Sequence, residues 1–177
     1  TKITSQTRAI FPVHLMGNAV NLQVLEEIAG KHNLLILEDC CESLGTSWNG
    51  NHVGTKSYGG TFSFFFSHHI CTMEGGMITT PDPETAERLR LLRAHGWARN
   101  IKNRSHKLLD LTLDESLDPR YTFLEWGFNV RPTELQAGFG LEQLKKFPGF
   151  QQARSSNFAQ FKSGVEDLKL PIKFPEV

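Results

Sequence analysis

Two adjacent histidines, His68 and His69, follow directly on Thr61-Phe62-Ser63-Phe64-Phe65-Phe66-Ser67, with Glu74-Gly75-Gly76 just behind them. A buried strand that ends in titratable side chains is how an open α/β sheet builds a site, because ligands sit beyond the carboxyl ends of its strands. If the strand continues, the two histidines alternate faces, so one of them points at such a site. Adjacent histidines are poorly spaced for a metal, whose ligands on one element need a shared face, and no metal site is expected. The carboxylates of interest are Asp39 and Glu42, in Glu38-Asp39-Cys40-Cys41-Glu42. Asp39 closes a short apolar strand, a costly place for a carboxylate unless a cation meets it. Glu42 adds a second carboxylate three residues on, in a turn. The bland alternatives, an aromatic core strand with a polar end and an ordinary turn Asp, stay open on these residues alone.

The elements that must position these groups follow from periodicity. Residues 61–66, four of them Phe, read as a buried strand, and 77–80 as a second strand after a Gly pair. Ahead of them, 9–14 reads as a strand ending in the turn Leu15-Met16-Gly17-Asn18. Asn21 caps a helix to about His32 with Leu22, Leu25, Ile28 and Ala29 on one face, and 34–37 is an all-apolar strand. Strand, helix and strand with short links form a βαβ unit, which implies a parallel pair and an α/β fold. Asn49-Gly50 marks a hairpin. Pro83 opens a helix with Ala86, Leu89, Leu91 and Leu92 inward, which stops before Gly96. Residues 98–120 lose periodicity and read as a functional or mobile loop, and 121–123 as extended. Thr133 caps a helix to about Lys146 that is apolar nearly all round and therefore expected to be buried. A more polar helix is expected from about Phe150 to Asp167.

With 177 residues the chain is long enough for one domain with a real core. Its 19 basic and 19 acidic side chains balance, which argues against nucleic acid or an anionic membrane as a partner. No apolar run approaches the roughly 20 residues of a membrane span. The 3 cysteines lack metal-type spacing, which suits a reducing cytoplasm and argues against a zinc or iron–sulfur centre. The chain lacks an initial Met and ends in another extended segment, so a piece of a longer protein, cut at both ends, is expected.

Taken in order, these pieces form a set: Pro12-Val13-His14-Leu15-Met16-Gly17, Glu38-Asp39-Cys40-Cys41-Glu42-Ser43-Leu44-Gly45, Val53-Gly54-Thr55, Phe62-Ser63-Phe64-Phe65, Glu74-Gly75-Gly76, Leu91-Leu92-Arg93-Ala94-His95-Gly96 and Gly127-Phe128-Asn129-Val130-Arg131-Pro132-Thr133-Glu134. The set resembles the DegT/DnrJ/EryC1/StrS sugar aminotransferases, pyridoxal phosphate enzymes acting on nucleotide-linked keto sugars. Two departures refine the likeness. The family's Schiff-base lysine falls at His68, and the usual Gln falls at Glu42. Both changes, and His68-His69-Ile70 itself, resemble the 4-keto-6-deoxysugar 3-dehydratase branch. The absence of cysteines after His95-Gly96-Trp97 matches that branch's members without an iron–sulfur cluster.

The resemblance implies part of the large domain of a fold type I aminotransferase, with a mostly parallel sheet flanked by helices. Residues 1–147 would belong to the cofactor-binding large domain, and 148–177 to a linking helix and the start of the C-terminal small domain. The implied cofactor is pyridoxamine 5′-phosphate or pyridoxal 5′-phosphate. His68 would act as the catalytic base and His69 as its support. Asp39 would face the pyridine nitrogen, Glu42 the ring hydroxyl and Ser63 the phosphate, while Asn129 would reach the cofactor of the neighbouring subunit in a homodimer. The implied reaction removes the C3 hydroxyl of a nucleotide-linked 4-keto-6-deoxyhexose in dideoxysugar (lipopolysaccharide O-antigen) biosynthesis, with glutamate as amino donor, in the cytoplasm. Two alternatives are an ordinary sugar aminotransferase whose lysine function has moved to Lys56, and a non-catalytic binding protein on the same fold.

Overall fold

The computed structural model describes residues 2–100, 105, 106, 111, 112, 116 and 118–175. In chain order the elements are β1 (Ala9–Ile10), α1 (Leu22–His32), β2 (Leu35–Asp39), β3 (Ser47–Trp48), β4 (Asn51–His52), β5 (Gly59–Ser63), β6 (Gly76–Thr79), α2 (Pro83–Leu92), β7 (Ser105–His106), β8 (Leu111–Thr112) and α3 (Glu134–Asp167). They fall into two compact units, Thr1–Thr79 with Glu134–Val177, and Thr80–Thr133.

Among the described residues of the first unit the main sheet runs β1-β2-β5-β6. β1 and β2 are parallel, as are β2 and β5, and β6 returns antiparallel to β5. This is the α/β, mostly parallel arrangement expected from the βαβ pattern. The crossover helix α1 begins where the Asn21 side chain accepts the Val24 N–H at 3.1 Å, and ends at Asn33 in the left-handed region. It buries Leu22 and Ala29 and packs on β1 and β2. The hairpin β3–β4 turns through Asn49 and Gly50, both at positive φ, as Asn-Gly dictates.

Strand alternation puts Ile36, Glu38 and Cys40 on the buried face of β2. Cys40 packs with Val53 and Phe62, and Ala19, Leu44, Trp48 and Phe64 close around them. Glu38, 1% exposed, is buried on the same face, and donors meet both of its carboxylate oxygens. Its Oε2 accepts the His14 Nε2–H at 2.7 Å and the Gly54 N–H at 2.8 Å, and its Oε1 accepts the Ser57 hydroxyl. The Val20 N–H donates to His14 Nδ1 at 3.2 Å, which places the ring proton on Nε2. The His14 carbonyl accepts the buried Ser43 hydroxyl. Backbones meet closely here, since a Cβ on Gly60 would collide with the Gly54 Cα.

Three expectations are corrected. The Phe-rich run is not one buried strand. β5 ends at Ser63, Phe62 alone of the four rings is fully buried, and Phe66 is 69% exposed. The antiparallel partner β6 pairs only through Ser63↔Gly76, so the chain turns away before the last rings. The two C-terminal helices are one, α3, which runs through Pro148. Phe147 and Gln151 both sit on Gly45, and this contact holds the helix on either side of the proline. The first half of α3 is not buried either: Leu135, Phe139, Leu141 and Leu144 are all exposed. Its contacts follow one narrow line, Gln136 on the Glu74 carbonyl, Gly140 on Thr72 and Gln151 on the Gly45 carbonyl. One line of contacts cannot cover a helix that is apolar all round.

In the second unit α2 starts at Asp82, whose side chain accepts the Thr85 N–H at 2.8 Å, with Pro83 in its first turn. It buries Leu91 and ends before His95 and Gly96, both at positive φ. The segment after it pairs back through Ala94↔Asn129 and Trp97↔Phe123, and backbones lie so close here that a Cβ on Gly127 would collide with the Gly96 nitrogen and one on Gly96 with the Glu125 carbonyl. The loop expected at 98–120 lies largely outside the described residues, apart from the short ladder β7–β8. Residues 119–121 form a single helical turn where an extended start was expected.

Burial by itself pushes the Glu38 carboxyl up, but His14, Ser57 and the Gly54 N–H outweigh it and hold it below the ordinary carboxylate value. A depressed carboxylate contributes stability in full above its unfolded value and loses it as pH falls through the folded one. Glu38→Ala leaves His14 buried without its acceptor and should cost about 3–5 kcal/mol. Urea unfolding at neutral pH checks this, and the difference from the unsubstituted chain should shrink in acid.

Candidate active site

β2 and β5 are parallel neighbours, so their carboxyl ends open on the same side; Asp39 and Ser63 end these strands, and Glu42 and His68 lie in the turns that follow them. Asp39 is the last residue of β2, opposite Thr61. Sequence reading placed the costly buried carboxylate at Asp39, whereas the structure buries Glu38 and leaves Asp39 half-buried. The period of two decides this, since Glu38 shares a face with Ile36 and Cys40. Asp39 Oδ1 accepts the Cys41 N–H at 3.0 Å, and among the described residues no cation pairs with it.

Glu42 follows in the turn after β2, where its Oε2 accepts the Met16 N–H at 2.8 Å. Met16 holds a left-handed conformation that presents this N–H, a contribution of backbone that sequence reading did not find. Ser63 ends β5, and its Oγ accepts the Phe65 N–H at 3.3 Å, leaving the hydroxyl proton to donate elsewhere. His68 stands in the turn beyond β5, half-buried, with its N–H on the Phe65 carbonyl at 3.0 Å.

His69 Nδ1 is buried with no hydrogen-bond partner among the described residues. Burial pushes its imidazole below the ordinary value, Arg154 and His68 add to this, and Glu42 opposes it. The same electrostatic neighbourhood therefore holds Glu42, His68, His69 and Arg154. Arg154, on α3, escaped sequence reading because nothing local tells which turn of a long helix returns to a strand end. Asn129 lies in the second unit, exposed, on the bridge with Ala94. Lys56 is exposed and precedes β5, so it stands at the amino end of the strand whose carboxyl end leads to His68.

The described residues also bring together His14, Glu38 and Cys40, with one ligand-type atom from each within 4.8 Å of the others. This cluster is already occupied by hydrogen bonds. His14 Nε2 and Glu38 Oε2 are 2.7 Å apart, closer than two ligands of one tetrahedral ion. Burial, with Glu38 and Asp39, pushes the Cys40 thiol up to about 12, so it stays protonated. No described helix is long and apolar enough to cross a membrane.

The mostly parallel α/β sheet is that of the aminotransferase fold, as a solved relative shows. A crystal structure of GDP-4-keto-6-deoxymannose-3-dehydratase with a trapped PLP-glutamate geminal diamine superposes with a TM-score of 0.84 at 40% identity, over 94% of this chain and 43% of that one. The chain belongs to the DegT/DnrJ/EryC1/StrS aminotransferase family, which matches residues 1–176. It is 41% identical over 165 residues to the GDP-4-keto-6-deoxy-D-mannose 3-dehydratase of Escherichia coli O55:H7, covering 93% of this chain and 42% of that protein. It is 44% identical over 163 residues to the enzyme of the same name from Yersinia pseudotuberculosis, covering 90% of this chain and 40% of that one. The chain thus spans about two fifths of the length of these relatives.

The His69 shift has a direct readout. Its imidazole should titrate below the ordinary value of about 6.5, and Arg154→Ala should move it upward by removing a neighbouring positive charge. Ring-nitrogen chemical shifts followed by NMR against pH measure both.

Proposed function

We propose that the whole protein to which this chain belongs is a pyridoxamine phosphate-dependent 3-dehydratase of a nucleotide-linked 4-keto-6-deoxyhexose, serving dideoxysugar synthesis. The observation that carries this is the end of β5, where His68 stands in the family's lysine position and Lys56 lies at the opposite end of the strand. The 3-dehydratase relatives at 41% and 44% identity support the same reading, with a GDP-linked sugar as substrate. The glutamate adduct in the related crystal structure supports glutamate as amino donor. A homodimer in the cytoplasm completes the reading.

The described residues fit the cofactor. Asp39 is a half-buried carboxylate at a strand end that no protein cation meets, which suits a protonated ring nitrogen. The chemistry supplied by a bound pyridoxamine phosphate is an amine for the sugar's C4 ketone and a ring that accepts electrons as the C3 hydroxyl departs. Glu42, oriented by the Met16 N–H, would hold the ring hydroxyl, and Ser63 would donate its hydroxyl to the phosphate. Asn129 would serve the phosphate of the partner subunit's cofactor.

His68 takes up a proton on an imidazole nitrogen and returns it toward the departing oxygen. An imidazole nitrogen can both accept and donate a proton, which suits both directions. It also leaves the cofactor free of a covalent tie, which a lysine there would form. His69 supports His68 from the adjacent position, and its lowered proton affinity limits charge beside the base.

In the full-length protein given pyridoxamine phosphate and GDP-4-keto-6-deoxymannose, His68→Asn should reduce turnover on the order of 10²–10⁴ while cofactor absorbance on the protein persists. Unchanged turnover would remove His68 from the chemistry. Borohydride treatment of the unsubstituted protein with pyridoxal phosphate, followed by peptide mass mapping, should label no lysine. A label on Lys56 would establish the aminotransferase alternative instead.

A further inference from the structure

His14 is fully buried in the first unit, yet each of its polar groups is engaged, and the reaction chemistry leaves it unused. Its ring Nε2–H donates to Glu38 Oε2 at 2.7 Å, and its Nδ1 accepts the Val20 N–H at 3.2 Å. Its backbone N–H donates to the Asp39 carbonyl at 3.0 Å, and its own carbonyl accepts the Ser43 hydroxyl. The Asp39 N–H donates in turn to the Pro12 carbonyl at 2.8 Å. Two residues beyond His14, the Met16 N–H donates to Glu42 Oε2 at 2.8 Å. One short stretch, 12–16, therefore reaches the backbone of Asp39, the residue next to Glu42 and the Glu42 carboxylate itself.

Little else holds this stretch. Val13, Leu15 and Met16 are exposed, and Met16 keeps a left-handed conformation that persists only where its surroundings impose it. The His14 side chain is the buried anchor, and its bonds are costly to leave unmade. On the proposed reading Asp39 and Glu42 meet the nitrogen and the hydroxyl of one rigid ring, so their separation must match that ring. Charge-assisted hydrogen bonds need short, aligned contacts, and a small misplacement of either carboxylate weakens them. We propose that His14 is a positioning residue for the cofactor, setting Asp39 through its backbone bonds and Glu42 through Ser43 and Met16. Buried from any ligand, it acts only through these two carboxylates. This rests on the pyridoxamine phosphate reading and deepens it by naming what spaces the ring's two partners.

The test compares ligand affinities of the full-length protein by calorimetric titration. The ligands are pyridoxamine phosphate, its 1-deaza analogue with carbon in place of the ring nitrogen, and its 3-deoxy analogue without the ring hydroxyl. His14→Asn keeps an acceptor for the Val20 N–H and removes the donor to Glu38. It should weaken pyridoxamine phosphate binding by about 10–100-fold, the worth of a charge-assisted hydrogen bond. The 1-deaza analogue should lose much less, because it gives Asp39 no proton to meet. His14→Gln returns an amide donor to Glu38 and should recover most of the affinity. Ser43→Ala cuts the branch to Glu42 alone, so its loss should remain with the 1-deaza analogue and vanish with the 3-deoxy analogue. An equal loss for all three ligands means general loosening and overturns the proposal, as does full affinity in both His14→Asn and Ser43→Ala. Should His14→Asn melt too early to titrate, the pattern in Ser43→Ala decides in the same way. If the unsubstituted protein binds no pyridoxamine phosphate, the cofactor reading falls and takes this role with it.

Discussion

The buried carboxylate of Glu38 is the constraint on which the first unit depends. An ionised group at 1% exposure survives in an apolar core only when every lone pair that faces inward meets a donor. Here the donors come from four places in the chain: the His14 ring after β1, the Gly54 N–H after the β3–β4 hairpin, the Ser57 hydroxyl ahead of β5, and, one step out, the Val20 N–H that sets the His14 tautomer. Each segment is short and has few apolar residues to bury, so packing alone would leave its position loose. A shared acceptor fixes all of them together.

That arrangement explains why the site is built where it is. Glu38 and Asp39 are successive residues on β2 with opposite facings, so satisfying the first in the core aims the second out of it. The turn after β2 then begins from a fixed point. Ser43 closes on the His14 carbonyl, and Glu42, one residue earlier, meets the Met16 backbone. α3 ties this turn to the one beyond β5, through Gln151 on Gly45 and Gln136 on Glu74. The two loops that carry Glu42 and His68 are therefore held from beneath by the sheet and from the side by one helix.

Local signals made much of this legible. Asn21, Asn49-Gly50 and Pro83 each stated a cap, a turn or a helix start, because the physics that places them is contained within a few residues. The motif order made the family legible, and with it the residues at the strand ends. The failures share a cause. Phe64, Phe65 and Phe66 carry the composition of a strand, but pairing ended one residue earlier, at Ser63↔Gly76, which no local propensity encodes. Two helices were expected, to about Lys146 and from about Phe150, yet the contacts of Phe147 and Gln151 with Gly45 carry one helix through. Glu38 was passed over for Asp39, although alternation with Ile36 and Cys40 was sufficient to place it. Arg154 had no signal at all, because its relation to His69 is set only by tertiary packing.

The pattern of charge across the chain supplies the last step. The core carboxylate is fully satisfied within the protein. Within the first unit, Asp39 is left as a strand-end carboxylate that no described cation meets. The net charge of zero conceals this, because it sums groups that the fold keeps apart. Replacing lysine with histidine at position 68 fits the same logic. It keeps a permanent positive charge out of the turn that follows β5, the strand next to the one that Asp39 ends.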